Sequence, residues 1–231
     1  MKRRFQPFLR LVALVSTEVV VLGLALLICL LLFLFMAYIV FAVPNSALDD
    51  ALFSFADQLA SPAMTKAMFI LTFFASAEYL FIAPPLVVLV FCFFRHLRWH
   101  GLQVLLVALS TSILNQLMKR FFERPRPSFA MLQQAGLSFP SGHAMIGGAF
   151  YGVLIYVVWR TVHQQVWRWL LVFSLSLLIL LIGFSRIYLK VHYATDVLAG
   201  FAMGFLWLMI FLRLMRQFEE TYNAKFGQLP N

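Results

Sequence analysis

The chain has 231 residues, 63% of them hydrophobic and 12% charged, with a formal net charge of +9. A soluble domain of this size has no interior large enough for so many membrane-length apolar runs, so the composition excludes a soluble globular fold and points to a bundle inside a bilayer. The positive charge does not indicate nucleic acid, because the basic residues stand in short clusters at the ends of apolar runs, where they orient spans.

Lys2, Arg3 and Arg4 precede the first apolar run and resemble the start of a signal peptide. The run is too long for a signal-peptide core and lacks a clear small-residue cleavage site, so it reads as a retained span, Val19–Val43. From Ser46 to Ala60, Leu48, Leu52, Phe55 and Leu59 recur at helical spacing with Asp49, Asp50 and Asp57 elsewhere, which predicts an amphipathic helix on the outer surface. The second span is expected at Ala77–Phe94, kinked by Pro84-Pro85, with Glu78 near its outer end, either a site residue or, the favoured reading, a partner for a nearby cation. Four further spans follow at Leu102–Met118, Ala144–Trp159, Trp167–Ser185 and Ala194–Leu212. The expected fold is all-α: a six-transmembrane-helix bundle forming a single domain over residues 1–231, with an outer-surface amphipathic helix and an active site at the outer membrane face. Cys29 falls in mid-span and Cys92 near a span end, which argues against a disulfide, and neither has metal-ligand spacing.

Six spans put both termini on one side of the membrane. That side collects eleven basic residues (Lys2, Arg3, Arg4, Arg10, Arg95, Arg98, Arg160, Arg168, Arg213, Arg216 and Lys225) against seven on the other, or four once Lys119, Arg126 and Arg186, which belong to polar stretches at the span ends, are set aside. The excess places both termini in the cytoplasm. Trp99, Trp159, Trp167 and Trp169 stand at the inner boundaries as interface anchors. By the same counting Lys119, His143, Arg186 and His192 all fall on the outer face.

Those four belong to three polar stretches that mark span ends. Pro140-Ser141-Gly142-His143 reads as a loop turning into a helix: serine can cap the start, and Gly142 lets the backbone approach a ligand. The first amides of such a helix are unpaired and favour an anion, although the same four residues could be an ordinary cap. His192 and Asp196, four apart, share a helix face, so the carboxylate can fix one imidazole nitrogen and free the other as nucleophile or base. The bland alternative is a buried structural pair. Lys119, Arg126 and Arg186 supply cations for phosphate oxygens, though basic residues also anchor span ends by snorkelling. Arg120, Arg124 and Lys190 are assigned to that anchoring role, or to attracting anionic headgroups. Gly200 and Gly204 continue the His192–Asp196 stripe, and Gly148 and Gly152 repeat the spacing below His143. Small residues so spaced let membrane helices approach, so the fourth and sixth spans are expected to cross near their outer ends.

Taken in order, these stretches resemble the three-part signature of the type 2 phosphatidic acid phosphatase family, K-x6-R-P, P-S-G-H and S-R-x5-H-x3-D, matched over Lys119–Pro127, Pro140–His143 and Ser185–Asp196. The resemblance implies a lipid phosphatase. His192 would attack phosphorus with Asp196 orienting its ring. His143 would protonate the leaving oxygen and then activate water. Lys119, Arg126, Ser141, Gly142 and Arg186 would bind the phosphate oxygens. It also implies no cofactor and no metal. The partners are a membrane lipid phosphate and the bilayer, and not nucleic acid; the oligomeric state stays open. The implied setting is a multi-pass protein of a bacterial-type plasma membrane. Undecaprenyl pyrophosphate, phosphatidylglycerophosphate and phosphatidic acid are the candidate substrates, and an outward site ranks carrier-lipid recycling first. A phosphotransferase passing phosphate to another lipid, a vanadate-dependent haloperoxidase and a non-catalytic lipid transporter are the competing readings. Six spans speak against the second, and polar groups gathered at one face rather than in mid-membrane speak against the third.

Overall fold

A computed structural model of the protein describes residues 17–43, 46–132 and 134–226. The basic cluster of Lys2, Arg3, Arg4 and Arg10, on which part of the orientation argument rests, lies outside the described residues. Every regular element among the described residues is helical. In chain order these are α1 (Thr17–Ala42), α2 (Ala47–Gln58), α3 (Pro62–Phe73), α4 (Ala77–Cys92), a 3-10 turn (Arg95–Leu97), α5 (Arg98–Phe122), a π-helical turn (His143–Gly147) running into α6 (Gly148–Thr161), α7 (Gln165–Tyr188) and α8 (Ala194–Phe226).

Five stretches are long and apolar enough to cross a membrane: Val19–Ala42, Arg95–Phe122, His143–Thr161, Gln165–Tyr188 and Ala194–Tyr222. The sixth candidate is a bent pair, α3 with α4, at 49°. Here the structure differs from the sequence reading, which had one kinked helix over Ala77–Phe94. At 16 residues α4 extends only ~24 Å, short of the ~30 Å hydrocarbon thickness. The bend lies before α4, and the helix continues through Pro84 and Pro85. Local chemistry fixes its place. The amides of Ala75 and Ser76 close tight bonds to Thr72 and Phe73 carbonyls (3.2 and 2.9 Å), which ends α3, and the Ser76 hydroxyl then caps α4 by accepting from Tyr79 N–H at 3.2 Å. Pro62 in the first turn and Ser61 as cap start α3 in the same way.

α2 lies where a surface helix was expected, but its buried stripe is different. Asp49, Phe53 and Ala56 face inward, while Phe55, assigned to the apolar face, is about half exposed. An aspartate turns into the protein because α8 and the α5–α6 loop present donors to it there.

α1 packs along α8, α4 against α5, and α6 against α5, α7 and α8, while α3 leans on α7. The central cluster takes Val104 and Val107 from α5, Phe150 and Val153 from α6, Ile179 and Ile182 from α7, and Leu208 from α8. Outward-facing positions stay apolar: Val21, Ile28, Phe35, Phe81, Phe121 and Phe173 are all more than half exposed, as lipid contact demands. Since lipid tails are as apolar as leucine, helix association in such a bundle rests on close packing rather than on escape from water. The glycines supply it. A Cβ on Gly200 would stand 2.7 Å from the Ser141 carbonyl oxygen, and one on Gly204 would stand 2.6 Å from that of Met145. Gly148 and Gly152 meet Phe201, Phe205 and Leu208 of α8. The expected crossing of these two spans is therefore present, and it joins the His143 turn to the His192 end of α8.

Candidate active site

α5 ends when Glu123 enters the left-handed region (φ 48°) ahead of Pro125. The loop that follows, to Gly142, carries Arg124, Arg126, Gln134 and Ser138 over the ends of α7 and α8. Between those two helices the chain turns at Lys190 (φ 56°), and amides of Val191 and His192 reach back to the Arg186 carbonyl at 3.1 and 3.3 Å. This turn fixes His192 beside the start of α8.

The His192 ring is almost wholly buried. Its Nε2 lies 3.1 Å from Arg126 Nη1, while its Nδ1 faces Asp196 Oδ2 at 3.4 Å and Ser138 Oγ at 3.3 Å. A guanidinium only donates, so Nε2 carries the lone pair and Nδ1 the proton. Ser138 donates its own proton to Asp196 Oδ2, leaving its oxygen to accept from the ring. Tyr193 N–H also donates to Oδ2, at 3.0 Å. Burial pulls the His192 pKa from the usual 6.5 to about 4; the Arg186 and Arg126 charges add to the fall and the Asp196 carboxylate opposes it. The imidazole is neutral at neutral pH.

Asp196 is itself gripped. Arg124 Nη1 donates to its Oδ1 at 2.6 Å and to Thr195 Oγ1 at 2.8 Å. Asp49 of α2 completes the cluster: its Oδ2 takes Arg124 Nη2 at 3.3 Å, and the Thr195 amide and hydroxyl donate to its carboxylate at 2.9 and 3.0 Å. The guanidinium also stacks on the Tyr193 ring, 3.8 Å from its centroid.

The remaining cations converge on the same place. Arg186, wholly buried, donates to Thr72 Oγ1 and Gln134 Oε1, each at 2.5 Å, and its Nε has no partner. Arg126 Nη1 reaches Gln134 Oε1 at 3.3 Å and the Val191 carbonyl at 3.0 Å, and burial lowers its pKa. Lys119 Nζ donates to the Leu137 carbonyl at 3.0 Å. Ser141 is buried, with its amide donating to the Asp196 carbonyl at 3.0 Å and its hydroxyl unpartnered. The amides of Gly142, His143 and Ala144 open the helix ahead of its Met145 N–H to Ser141 C=O bond (2.9 Å), where helix geometry leaves donors free.

Lys119, Arg126, Gly142, His143 and His192 line a single cleft of about 1250 Å³. Arg186, Ser141 and Asp196 stand buried behind it. From this polar end the cleft runs between α4 and α5 past Leu80, Pro84, Leu105 and Leu109, so a charged head and an apolar tail could share it. Glu78 also lines it, and makes no ion pair among the described residues.

Four roles were not legible in the signature. Arg124, assigned to span anchoring, is instead an internal ion-pair partner of Asp196. Asp49, placed off the apolar stripe of the surface helix, is buried against Arg124 and Thr195. Ser138 and Gln134 drew no notice. Residues two apart in an extended segment share a face, so the Arg-Pro repeat at Arg124–Pro127 gives no sign that Arg124 turns to Asp196 while Arg126 turns to His192. Lys190, assigned with Arg124, pairs with Asp57 of α2 at 2.6 Å.

The sequence matches the PAP2 superfamily over residues 100–220. It is 33% identical over 196 residues to phosphatidylglycerophosphatase B of Bacillus subtilis, covering 82% of this chain and 93% of that one. It is 30% identical over 122 residues to the lipid A 1-phosphatase of Rhizobium johnstonii, covering 47% and 45% respectively. The crystal structure of a transmembrane PAP2-type phosphatidylglycerolphosphate phosphatase from Bacillus subtilis superposes with a TM-score of 0.74 at 29% identity, over 85% of this chain and 96% of that one. The structure of Aquifex aeolicus LpxE superposes at 0.59 with 25% identity, over 74% and 98%. Together with the helical bundle and the cation-rich cleft at one end of it, these likenesses show that the chain belongs to the PAP2 superfamily and is a multi-pass membrane lipid phosphatase.

Proposed function

We propose that the protein hydrolyses phosphatidylglycerophosphate through a phosphohistidine on His192. In the first half-reaction His192 Nε2 forms a bond to phosphorus, the bond from phosphorus to the lipid oxygen breaks, and His143 gives that oxygen a proton. In the second, His143 takes a proton from water, the water oxygen bonds to phosphorus, and inorganic phosphate leaves with His192 restored. Asp196 and Ser138 hold the Nδ1–H so that the lone pair stays on Nε2. Lys119, Arg126, Arg186, the Ser141 hydroxyl and the amides from Gly142 onward carry the phosphate oxygens, whose charge rises in the transition state. No step is assigned to a metal ion.

The observation that carries this reading is that His143 and His192 line one cleft with Lys119 and Arg126, at the polar end of the space between α4 and α5. The unpartnered Ser141 Oγ and Arg186 Nε support it, since buried donors without partners are costly unless a ligand uses them. The Bacillus subtilis relative and the Bacillus subtilis crystal structure both carry a name for phosphatidylglycerophosphate, which moves that substrate ahead of a prenyl diphosphate. The site is assigned to the outer face of a bacterial plasma membrane, with both termini cytoplasmic.

The test is phosphate release by purified protein from phosphatidylglycerophosphate, phosphatidic acid and undecaprenyl pyrophosphate in matched micelles. The expected order puts phosphatidylglycerophosphate first by kcat/KM, with His192→Ala inactive on all three. A tenfold preference for the prenyl diphosphate would overturn the substrate assignment, and full activity in His192→Ala would overturn the mechanism.

A further inference from the structure

The chain Asp49–Arg124–Asp196–His192 links the α2 helix to the proposed nucleophile by hydrogen bonds at each step, from a buried carboxylate that the phosphate chemistry itself does not need. We propose that Arg124 and Asp49 are positioning residues for the hydrolysis: Arg124 sets the rotamer and effective charge of Asp196, Asp49 sets Arg124, and through Asp196 both hold His192 ready for attack.

The geometry separates them from phosphate binding. Arg126 points one way, into the cleft, to His192 Nε2; Arg124 points the other, behind Asp196, and does not line the cleft. Arg124 spends one nitrogen on both Asp196 Oδ1 and Thr195 Oγ1 and the other on Asp49, a fork that a single ammonium cannot reproduce. With Oδ1 occupied, Oδ2 is the oxygen turned to Ser138, Tyr193 N–H and the ring. Asp49 is also tied to the amide and hydroxyl of Thr195, the residue next to Asp196, so it fixes the backbone and the cation at once. A guanidinium on a carboxylate draws negative charge away from the ring it serves, and Asp49 partly gives it back. Removing Arg124 should therefore favour the imidazolium, and removing the Asp49 charge should disfavour it. The other charges facing His192 are Asp196 from α8, Arg126 from the α5–α6 loop and Arg186 from α7, with Lys119 of α5 and His143 of the π-helical turn across the cleft; none changes in these variants.

The proposal rests on His192 as nucleophile, so the experiment reads that first. Full-length wild type, Arg124→Gln, Arg124→Lys, Asp49→Asn and, as control, Asp57→Asn are mixed with 32P-labelled phosphatidylglycerophosphate and quenched at intervals in alkali. Label at His192 and the pH dependence of its rate of appearance are measured. Arg124→Gln is expected to slow labelling by up to roughly hundredfold, the cost of misplacing a reacting group, with KM changed less than threefold and inorganic vanadate binding as in wild type. Its acid limb moves up and that of Asp49→Asn moves down. Arg124→Lys recovers part of the rate, and Asp57→Asn, which removes only the exposed pair with Lys190, behaves as wild type. Wild-type rates in Arg124→Gln, or acid limbs displaced in the same direction by both variants, would overturn the proposal. Label on another wild-type residue would overturn it together with the mechanism beneath it, and is recognised because wild type itself fails. If Arg124→Gln gives no cooperative thermal transition, Arg124→Lys and Asp49→Asn carry the same readouts.

Discussion

Arg126 Nη1 lies 3.1 Å from His192 Nε2, so the lone pair assigned to attack phosphorus rests on a guanidinium N–H. One group then has two duties. It holds the ring in the tautomer with the free pair on the cleft side, and it stands where an equatorial phosphate oxygen would arrive. Substrate can exchange that bond for one between the same guanidinium and its own oxygen, freeing Nε2 as the oxyanion docks.

Arg126→Lys keeps the charge but loses the planar group whose Nη1 also reaches the Val191 carbonyl and Gln134 and whose Nε donates to the Gly136 carbonyl. Its kcat/KM for phosphatidylglycerophosphate is expected to fall by roughly 10²–10³, as for loss of one preorganised donor. Inorganic phosphate release under steady state measures it.

Protonation of His192 should occur far below the ordinary histidine range. Its pKa falls to about 4 in the folded protein from 6.5, so the neutral ring persists as pH drops through 6 and 5 and the nucleophile is lost only near 4. The sign for stability follows. An unfolded chain takes up the proton below 6.5 and the folded one does not, so this group's share of stability is complete above 6.5 and is lost as pH falls towards 4. An NMR titration of ring-13C histidine, assigned by the resonance missing in His192→Asn, reads the value directly.

Gly200→Ala tests how the P-S-G-H turn is seated. The new methyl would stand 2.7 Å from the Ser141 carbonyl oxygen, which is backbone and cannot rotate away. Overpacking of this kind costs about 1–3 kcal/mol, and here it also displaces Ser141 and the His143 turn. A lower thermal midpoint together with reduced phosphate release is expected. Gly23→Ala, with open space around it, should change neither.

Sidedness can be read with two exposed positions at opposite ends of the bundle. In a Cys29→Ser, Cys92→Ser background, Lys66→Cys on α3 should react with an impermeant maleimide in intact cells. Arg213→Cys on α8 should react only after permeabilisation. The reverse pattern would put the site in the cytoplasm.

Much of this arrangement was legible in the sequence because membrane spans and ordered polar motifs are local signals. Apolar runs located α1, α5, α6, α7 and α8, and the glycine stripes gave the contact that joins His143 to His192. The bend at Ser76 was harder to see, since a serine cap and a tightened turn inside an apolar stretch leave hydropathy almost unchanged, while the Pro84-Pro85 pair draws the eye to the wrong place. α2 misled for a related reason. Its leucine stripe is real, but a side face ending in Asp49 is the buried one, because the partners that make burial of a carboxylate tolerable come from residues about 75 and 146 positions away. Arg124 escaped for the same cause: span-end arginines are usually anchors, and only the fold brings Asp196 to this one.

The central claim is that phosphate passes through His192. Its most direct measurement is mass-spectrometric mapping of acid-labile phosphate on wild-type protein quenched in alkali during turnover of phosphatidylglycerophosphate. The account requires phosphate on His192, with greater accumulation in His143→Ala if that variant still forms the intermediate but fails to hydrolyse it. Phosphate on His143, or a protein that turns over fully without ever carrying label, would contradict it.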